Sequence, residues 1–431
     1  MFDYSRKPVK WQVGNFSHII NLLLTLMKKL TSLLLLLLVV IVTNAQELVS
    51  VRGHVIDEHG NKVTAASVVA NNERAATVTN EDGDFLIKLA SANESLTISH
   101  LGYTSEVVEV NGDKPLKVTL HSTTIMLNEL LVADPKDILS MALENIPKNY
   151  NMKPMLAKCF YRETTRKGKR YIYVAEAVTD MYKSAYNRGI NMDRVAIQKA
   201  RRLISTRVTD TLGAKIQGGP LVPIILDIVK NRDYLLNAEM LNHYNYSMQP
   251  SLTPTNGRNE VIVTITPRPD ESTKALLGGD FYIDVNTFTI RHIDLKLDMS
   301  DRHKASEFML EKKPAGVKFK PKELTIQIDY NPDKDGLYYL NYIRTDVSFN
   351  CDWKKKFFSS SYNVTSEMVV TDLKKDDVKP VKGRDSFREH ESLFDHHEYF
   401  GDPTFWKQYN IIEPSERLEK GIKRFLKKDK K

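Results

Sequence analysis

Ile293, Leu295, Leu297 and Met299 alternate with Asp294, Lys296 and Asp298, and this period of two recurs along much of the chain. Val261, Val263 and Ile265 share a face, as do Phe281, Ile283 and Val285, and Leu324, Ile326, Ile328 and Tyr330. Successive side chains of a strand point to opposite faces, so each run specifies one dry face and one wet face. Antiparallel strands satisfy that pattern, and eight or more in succession predict a strongly curved sheet or a half-barrel. Upstream, Cys159 to Thr165 and Arg170 to Tyr182 flank Lys167-Gly168-Lys169, a hairpin signal. Pro220 to Tyr234 interrupts the strands with an apolar helical stretch.

Between residues 49 and 122 the runs are shorter and are cut by Gly60-Asn61, Asn71-Asn72 and Asp82-Gly83. Six or seven short strands at this spacing predict a small β-sandwich, with Gly83 at a positive φ and Phe85 as the core anchor after it. Here the residues carry a resemblance. Gly53-x-Val55-x-Asp57-x-x-Gly60, Ala66-x-Val68, Thr77-x-Thr79-x-x-x-Gly83-x-Phe85 and Ile98-x-x-x-Gly102-Tyr103 are similar to the carboxypeptidase regulatory-like domain. The resemblance implies a transthyretin-like sandwich of the kind that precedes envelope domains in Gram-negative bacteria. Lys62-Val63-Thr64 departs from the family's usual Pro-Leu. The family name does not imply peptidase activity: none of the eleven histidines opens the His-x-x-Glu pair of a zinc carboxypeptidase, and His-Glu-x-x-His and Gly-x-Ser-x-Gly are absent from the sequence.

Asp134-Pro135 opens a helix, with Asp as N-cap and Pro at the first helical position. Ile138, Met141, Ala142 and Ile146 fall on one face, and Pro147 closes it. The expected organisation is an N-terminal extension with signal peptide (1–45), the sandwich (49–122), a linker and helix (123–150), a β-rich envelope domain (151–416) and a basic C-terminal helix (417–431). The run Gly278 to Thr287 is similar to the hairpin of lipoprotein-carrier-like half-barrels. That likeness implies an apolar cavity, with Phe281, Ile283, Ile293, Leu295, Leu297, Leu324 and Ile326 as its candidate lining; an ordinary sheet core is the other reading. The whole chain resembles bacterial proteins named for their carboxypeptidase-like regulatory domain, through Phe160-Tyr161-Arg162-Glu163, Ala175-Glu176-Ala177, Gly218-Gly219-Pro220, Cys351-Asp352-Trp353-Lys354 and Ile411-Ile412-Glu413-Pro414. That family implies location and architecture, with no activity attached.

Lys28-Lys29, the apolar run Leu33 to Val42 and Ala45 are the parts of a secretory signal peptide, too short to cross a bilayer. Export places Cys159 and Cys351 in an oxidising compartment, where they either pair or stay as two buried thiols in strands. His390, His396 and His397, with Glu391, Asp395 and Glu398, are the densest metal-ligand types, against a solvated connection as the plainer reading. Arg162, Glu163 and Glu176 could present an acid–base pair across a hairpin or serve as a cross-strand ion pair. Trp353 with Lys354-Lys355-Lys356 and Phe357-Phe358 reads as a strand end facing anionic lipid or a partner, or as a solvated turn.

The 431 residues carry 62 Lys+Arg against 54 Asp+Glu, a formal charge of +8. Residues 1–45 hold five basic and one acidic, and 417–431 hold eight basic and two acidic, leaving 49 against 51 between them. A nearly neutral body removes nucleic acid as a partner suggested by bulk charge. The basic excess sits in Lys420, Lys423, Arg424, Lys427 and Lys428, which flank Leu418, Ile422, Phe425 and Leu426 at helical spacing. Such a helix lies on a membrane surface or docks its apolar stripe on the body. The sequence therefore predicts a non-catalytic, exported envelope protein that binds or scaffolds at the periplasm or the periplasmic face of the outer membrane. A carrier of hydrophobic ligands and an unrecognised hydrolase are the alternatives. No cofactor is expected.

Overall fold

The computed structural model describes residues 22–31, 48–72, 74–112, 114–122, 133–205, 218–252, 255–257, 259–268, 274–310, 316–353, 359–395 and 406–428. The signal-like run 33–45 lies outside the described residues. Residues 1–48 and 49–431 are two compact units. In the first, helix α1 spans 22–31. No helix among the described residues is long and apolar enough to cross a membrane.

The second unit begins with β1 (Val49–Asp57), β2 (Ser67–Ala70), β3 (Ala76–Val78), β4 (Asp84–Leu89), β5 (Ser95–Ser99), β6 (Glu106–Glu109) and β7 (Leu116–Leu120). They form two sheets, β4-β1-β7 and β3-β2-β5-β6, packed around Val55, Val68, Phe85, Ile87 and Ile98. Gly83 takes φ 78°, and the Asn80 side chain accepts the amides of Asp82 and Asp84 to hold the turn that feeds Phe85 into this core.

Helices α2 (Pro135–Glu144) and α3 (Ile146–Asn149) follow. Asp134 caps α2 by accepting the Lys136 amide at 2.8 Å. Pro147 does not end a helix; it sits in the first turn of α3, where its missing N–H costs nothing. The buried stripe of α2 is Ile138, Leu139 and Ala142, while Met141 is exposed. The helix packs on the large sheet.

That sheet has ten strands in the order β10-β9-β8-β17-β16-β15-β14-β13-β12-β11, antiparallel throughout and curved. The hairpin β8 (Met155–Lys167) and β9 (Arg170–Lys183) turns at Gly168, and β10 (Arg194–Ile204) forms one edge. The helical stretch expected over Pro220–Tyr234 is broken into α4 (Val222–Ile225) and the start of α5 (Arg232–Leu235) by the turns at 226–231, and a further short helix, α6 (Ala238–Leu241), follows. Then come β11 (Tyr244–Pro250), β12 (Glu260–Pro267), β13 (Leu277–Asp284), β14 (Thr289–Leu297), helix α7 (Arg302–Met309), β15 (Val317–Pro332), β16 (Tyr338–Trp353) and β17 (Ser360–Lys374). β17 returns to pair with β8, the first strand of the sheet. Helix α8 (Glu416–Lys428) ends the described chain.

One face of this sheet is apolar and is covered by α2, Ile224, Ile228, Val229 and Leu235. The opposite face carries Phe160, Val178, Tyr342 and Val369, and on it rest Ala65 and Val78 of the sandwich together with Trp406, Ile411 and Ile412. Burial of each large apolar side chain contributes about 1.5–3 kcal/mol. The sandwich is thus fixed to the sheet through a wedge of C-terminal residues.

Candidate functional site

Register places one polar row across all ten strands on the sandwich-bearing face. Ser247, Thr264, Asp280, Asp294, Gln327, Arg344, Glu367, Arg162, Glu176 and Arg201 each face the next across neighbouring strands. In the half that runs from β16 to the β10 edge the signs alternate. Arg162 Nε donates to Glu176 Oε1 at 2.8 Å and Nη1 to Glu367 Oε1 at 3.2 Å. Arg201 grips Glu176 Oε2 from the other side at 2.8 and 2.7 Å. Arg344 holds Asp346 at 2.6 Å and Glu81 of the sandwich at 3.2 Å. Burial alone would raise the Glu176 pKa, but Arg162 and Arg201 outweigh it and hold the carboxyl below its usual range.

Glu163 does not join this group. Neighbouring strand residues point to opposite faces, so Glu163 lies on the apolar side, where it accepts from Tyr161 Oη at 2.9 Å and from Tyr173 Oη. Burial without a cation pushes its pKa up to about 7, the two tyrosine donors pulling the other way. Two carboxylates on opposite sides of a sheet cannot act as one acid–base pair; Arg162 and Glu176 are a cross-strand ion pair.

Residues 406–416 form a strap over the row. Arg162 Nη2 donates to the Ile412 carbonyl at 2.7 Å. From the sandwich, Thr77 donates to the Ile411 carbonyl at 2.9 Å, Asn80 to the Glu413 carbonyl at 3.1 Å, and buried Lys88 to the Tyr409 carbonyl at 2.7 Å. Burial pulls the Lys88 pKa down to about 8. The strap leads into α8, whose Leu418, Ile422, Phe425 and Leu426 pack on Tyr171, Val174 and Leu203. Lys420, Lys423, Arg424 and Lys427 lie on the exposed side, with Lys423 paired to Glu419 at 2.9 Å.

Gly421 faces Tyr171 so closely that an added Cβ would lie 2.7 Å from its ring. On a free helix Gly421→Ala would add about 1 kcal/mol of stability. On this docked helix the substitution should instead lower the urea midpoint and raise hydrogen exchange across 416–428; a raised midpoint would show that α8 is not seated on Tyr171.

Other predicted residues are dispersed. Cys159 and Cys351 are both buried free thiols. They face Val370 and Ser360, ten positions apart along β17, or about 33 Å, far beyond disulfide reach, so the pairing expectation gives way to two separate thiols. His390 is exposed, His396 and His397 lie outside the described residues, and no group among the described residues could hold a metal ion. Residues 354–358 also lie outside. Phe281, Ile283, Ile293, Leu295, Leu297, Leu324 and Ile326 all sit in the main core, which α2 and the 219–241 segment share.

Two features had no sequence signal. His292 is buried, with Nδ1 2.5 Å from Asp329 and Nε2 3.0 Å from Asp294. Burial would lower its pKa, but the Asp329 charge and the hydrogen bonds to Asp294 and Asp329 push it up to about 10, so the ring is an imidazolium at neutral pH. Next to it, a cleft of about 650 Å³ opens between β2, β3 and β5 of the sandwich and the ends of β15, β16 and β17. Bonds across it, Asn331 to Ser67 at 2.9 Å and Gly102 N to Thr255 at 3.0 Å, keep its walls together.

A β-sandwich packed on a large curved antiparallel sheet with few helices defines a mainly β protein. Residues 51–132 match the CarboxypepD_reg-like domain family, so the chain carries a carboxypeptidase regulatory-like domain over that segment. A search of curated proteins gives no match. Among solved structures, the chain is similar to an outer membrane lipoprotein-sorting protein domain from Vibrio parahaemolyticus, with 12% identity over 58% of this chain and 97% of that one, at a TM-score of 0.29. A DUF1329 family protein from Desulfovibrio piger shares 11% identity over 57% of this chain and 95% of that one, at 0.25. A membrane-associated protein of unknown function from Bacteroides fragilis shares 11% over 76% and 98%, at 0.15.

Proposed function

We propose that this is a non-catalytic, exported cell-envelope protein that binds or scaffolds at the periplasm or the periplasmic face of the outer membrane. The charged row carries the reading. The carboxylates of its alternating stretch, Glu176 and Glu367, are matched by arginine next to the strap, so this part of the row serves to hold sandwich, strap and sheet as one body. Open space is left in the cleft between the layers and in a groove of about 860 Å³ along the row at Asp280 and Asp294. Export rests on the signal-like order of Lys28-Lys29, Leu33 to Val42 and Ala45. The cationic outer side of α8 supplies peripheral contact with an anionic surface, of the kind that salt releases.

The full chain expressed in a Gram-negative host tests this by intact mass and fractionation. The expected product begins at Gln46, sits in the envelope fraction and leaves membranes in high salt. Cytoplasmic protein retaining residues 1–45 would overturn the proposal, and an acyl chain co-purifying in the native mass spectrum would replace it with a hydrophobic-ligand carrier.

A further inference from the structure

We infer that the cleft between the sandwich and the sheet is a binding site for a neutral, polyhydroxylated ligand, an oligosaccharide in chemical class. The inference rests on the reading of this protein as a binding protein and names what it binds.

Two adjacent strands are irregular at the cleft. β16 carries an extra residue between its pairings Asp329↔Tyr342 and Tyr330↔Leu340, and that residue is Asn341. β17 carries another between Val370↔Cys159 and Asp372↔Lys158, which is Thr371. Bulges re-aim side chains and concentrate beside functional sites. Here they direct Asn341, Thr371 and Asp372 into the cleft. Asn341 is 1% exposed, yet no protein donor reaches its Oδ1, and Asp372 Oδ1 is likewise buried without one. Buried acceptors left unpaired are costly, and these two are satisfied by a ligand that brings hydrogen-bond donors.

Charge decides between hydroxyl and ammonium donors. The lining carries four carboxylates, Asp329, Asp333, Asp372 and Asp376, against Arg74, Arg291, Lys334, Lys375 and the His292 imidazolium. There is no negative excess to draw a cation. Nor is the positive charge concentrated for an anion: Lys375 is held by Asp333 and Asp335 at 2.5 Å, Arg291 by Glu260 at 3.3 Å and His292 by its two aspartates. The remaining wall suits a sugar ring. Ala70, Ala75 and Ala76 on the sandwich side and Tyr338 and Tyr339 on the sheet side offer small and flat apolar surface to the C–H faces of a pyranose. A volume of about 650 Å³ is that of an ordinary small-ligand pocket.

Calorimetric titration of the mature full-length protein with maltotetraose, cellotetraose and chitotetraose, each to millimolar concentration, tests the site. At least one should bind saturably. Asn341→Leu should weaken it about tenfold or more. Lys334→Trp, an exposed substitution at the cleft mouth, should block binding without touching the core, and thermal melting confirms that each variant is folded. Binding by none of the three, binding by spermidine in their place, or unchanged affinity in folded Asn341→Leu and Lys334→Trp would overturn the inference. Such failure leaves the export reading intact, because that is read from the mature N-terminus and the fraction.

Discussion

Arg162→Ala is expected to destabilise the protein by about 3–5 kcal/mol, the usual cost of stripping one partner from a buried ion network. Arg162 is 3% exposed, and its guanidinium serves Glu176, Glu367 and the Ile412 carbonyl while lying over the Phe160 ring. Alanine leaves Glu176 with Arg201 alone and Glu367 with Arg344 at 3.9 Å, and removes the strap's bond to the sheet. The comparison that separates charge matching from packing is the double substitution Arg162→Met with Glu367→Met. It removes one charge of each sign and leaves Arg344 its bonds to Asp346 and Glu81, so it should cost less than Arg162→Ala despite changing two residues. Acid should narrow the gap between Arg162→Ala and the parent. Glu176 is held below its unfolded value, so its contribution is present above that value and is lost as pH falls through the folded pKa. Urea titrations at neutral pH and near pH 4 read both effects; a single variant within about 1 kcal/mol of the parent would mean that the strap does not depend on the row.

The antiparallel sheet was legible because alternation is a local signal, and the hairpin bringing Arg162 near Glu176 was legible from its turn, although the turn alone would set Arg162 opposite Ala175 and an extra residue at Ile172 shifts the register to Glu176. The rest of the row was not. Glu367 stands 205 residues from Arg162 and meets it only because β17 closes back on β8, a topological fact with no local signature. Ile412 lies farther still, and its motif Ile411-Ile412-Glu413-Pro414 offered no hint that three of its carbonyls are taken, by Thr77, Arg162 and Asn80. Glu163 beside Arg162 shows the opposite case. Period two already assigns neighbours to opposite faces, so the separation of the two carboxylates followed from the rule that predicted the strands. Two errors have plain local causes. Leu139 rather than Met141 is buried on α2 because the helix is covered from the β11–β12 side, and the long helix expected from Pro220 breaks where the chain turns to bury Ile228 and Val229. The bulges at Asn341 and Thr371 have no sequence signal either, since an extra residue is visible only once its partner strand is known.

His292 should make the protein lose stability steadily between neutral and alkaline pH. The group's folded pKa, about 10, stands above its ordinary 6.5, so the folded state binds the proton more tightly than the unfolded chain. The contribution is therefore complete below pH 6.5 and is lost as pH rises through the folded value. Each pH unit inside that window is worth up to about 1.4 kcal/mol, and Asp294, which is half exposed, lets water screen part of it. The expected loss from this residue between pH 7 and pH 9 is accordingly about 2 kcal/mol. Tyrosines, lysines and cysteines also titrate near that range, so the informative quantity is a difference. His292→Gln should be less stable than the parent at pH 7, because Asp294 and Asp329 lose their cation, and the deficit should shrink by about 2 kcal/mol at pH 9. A deficit constant across that range would show that the ring is neutral in the fold. The two aspartates would then be kept close by something other than an imidazolium between them, and the cleft's count of charges would tilt toward a ligand bearing a cation.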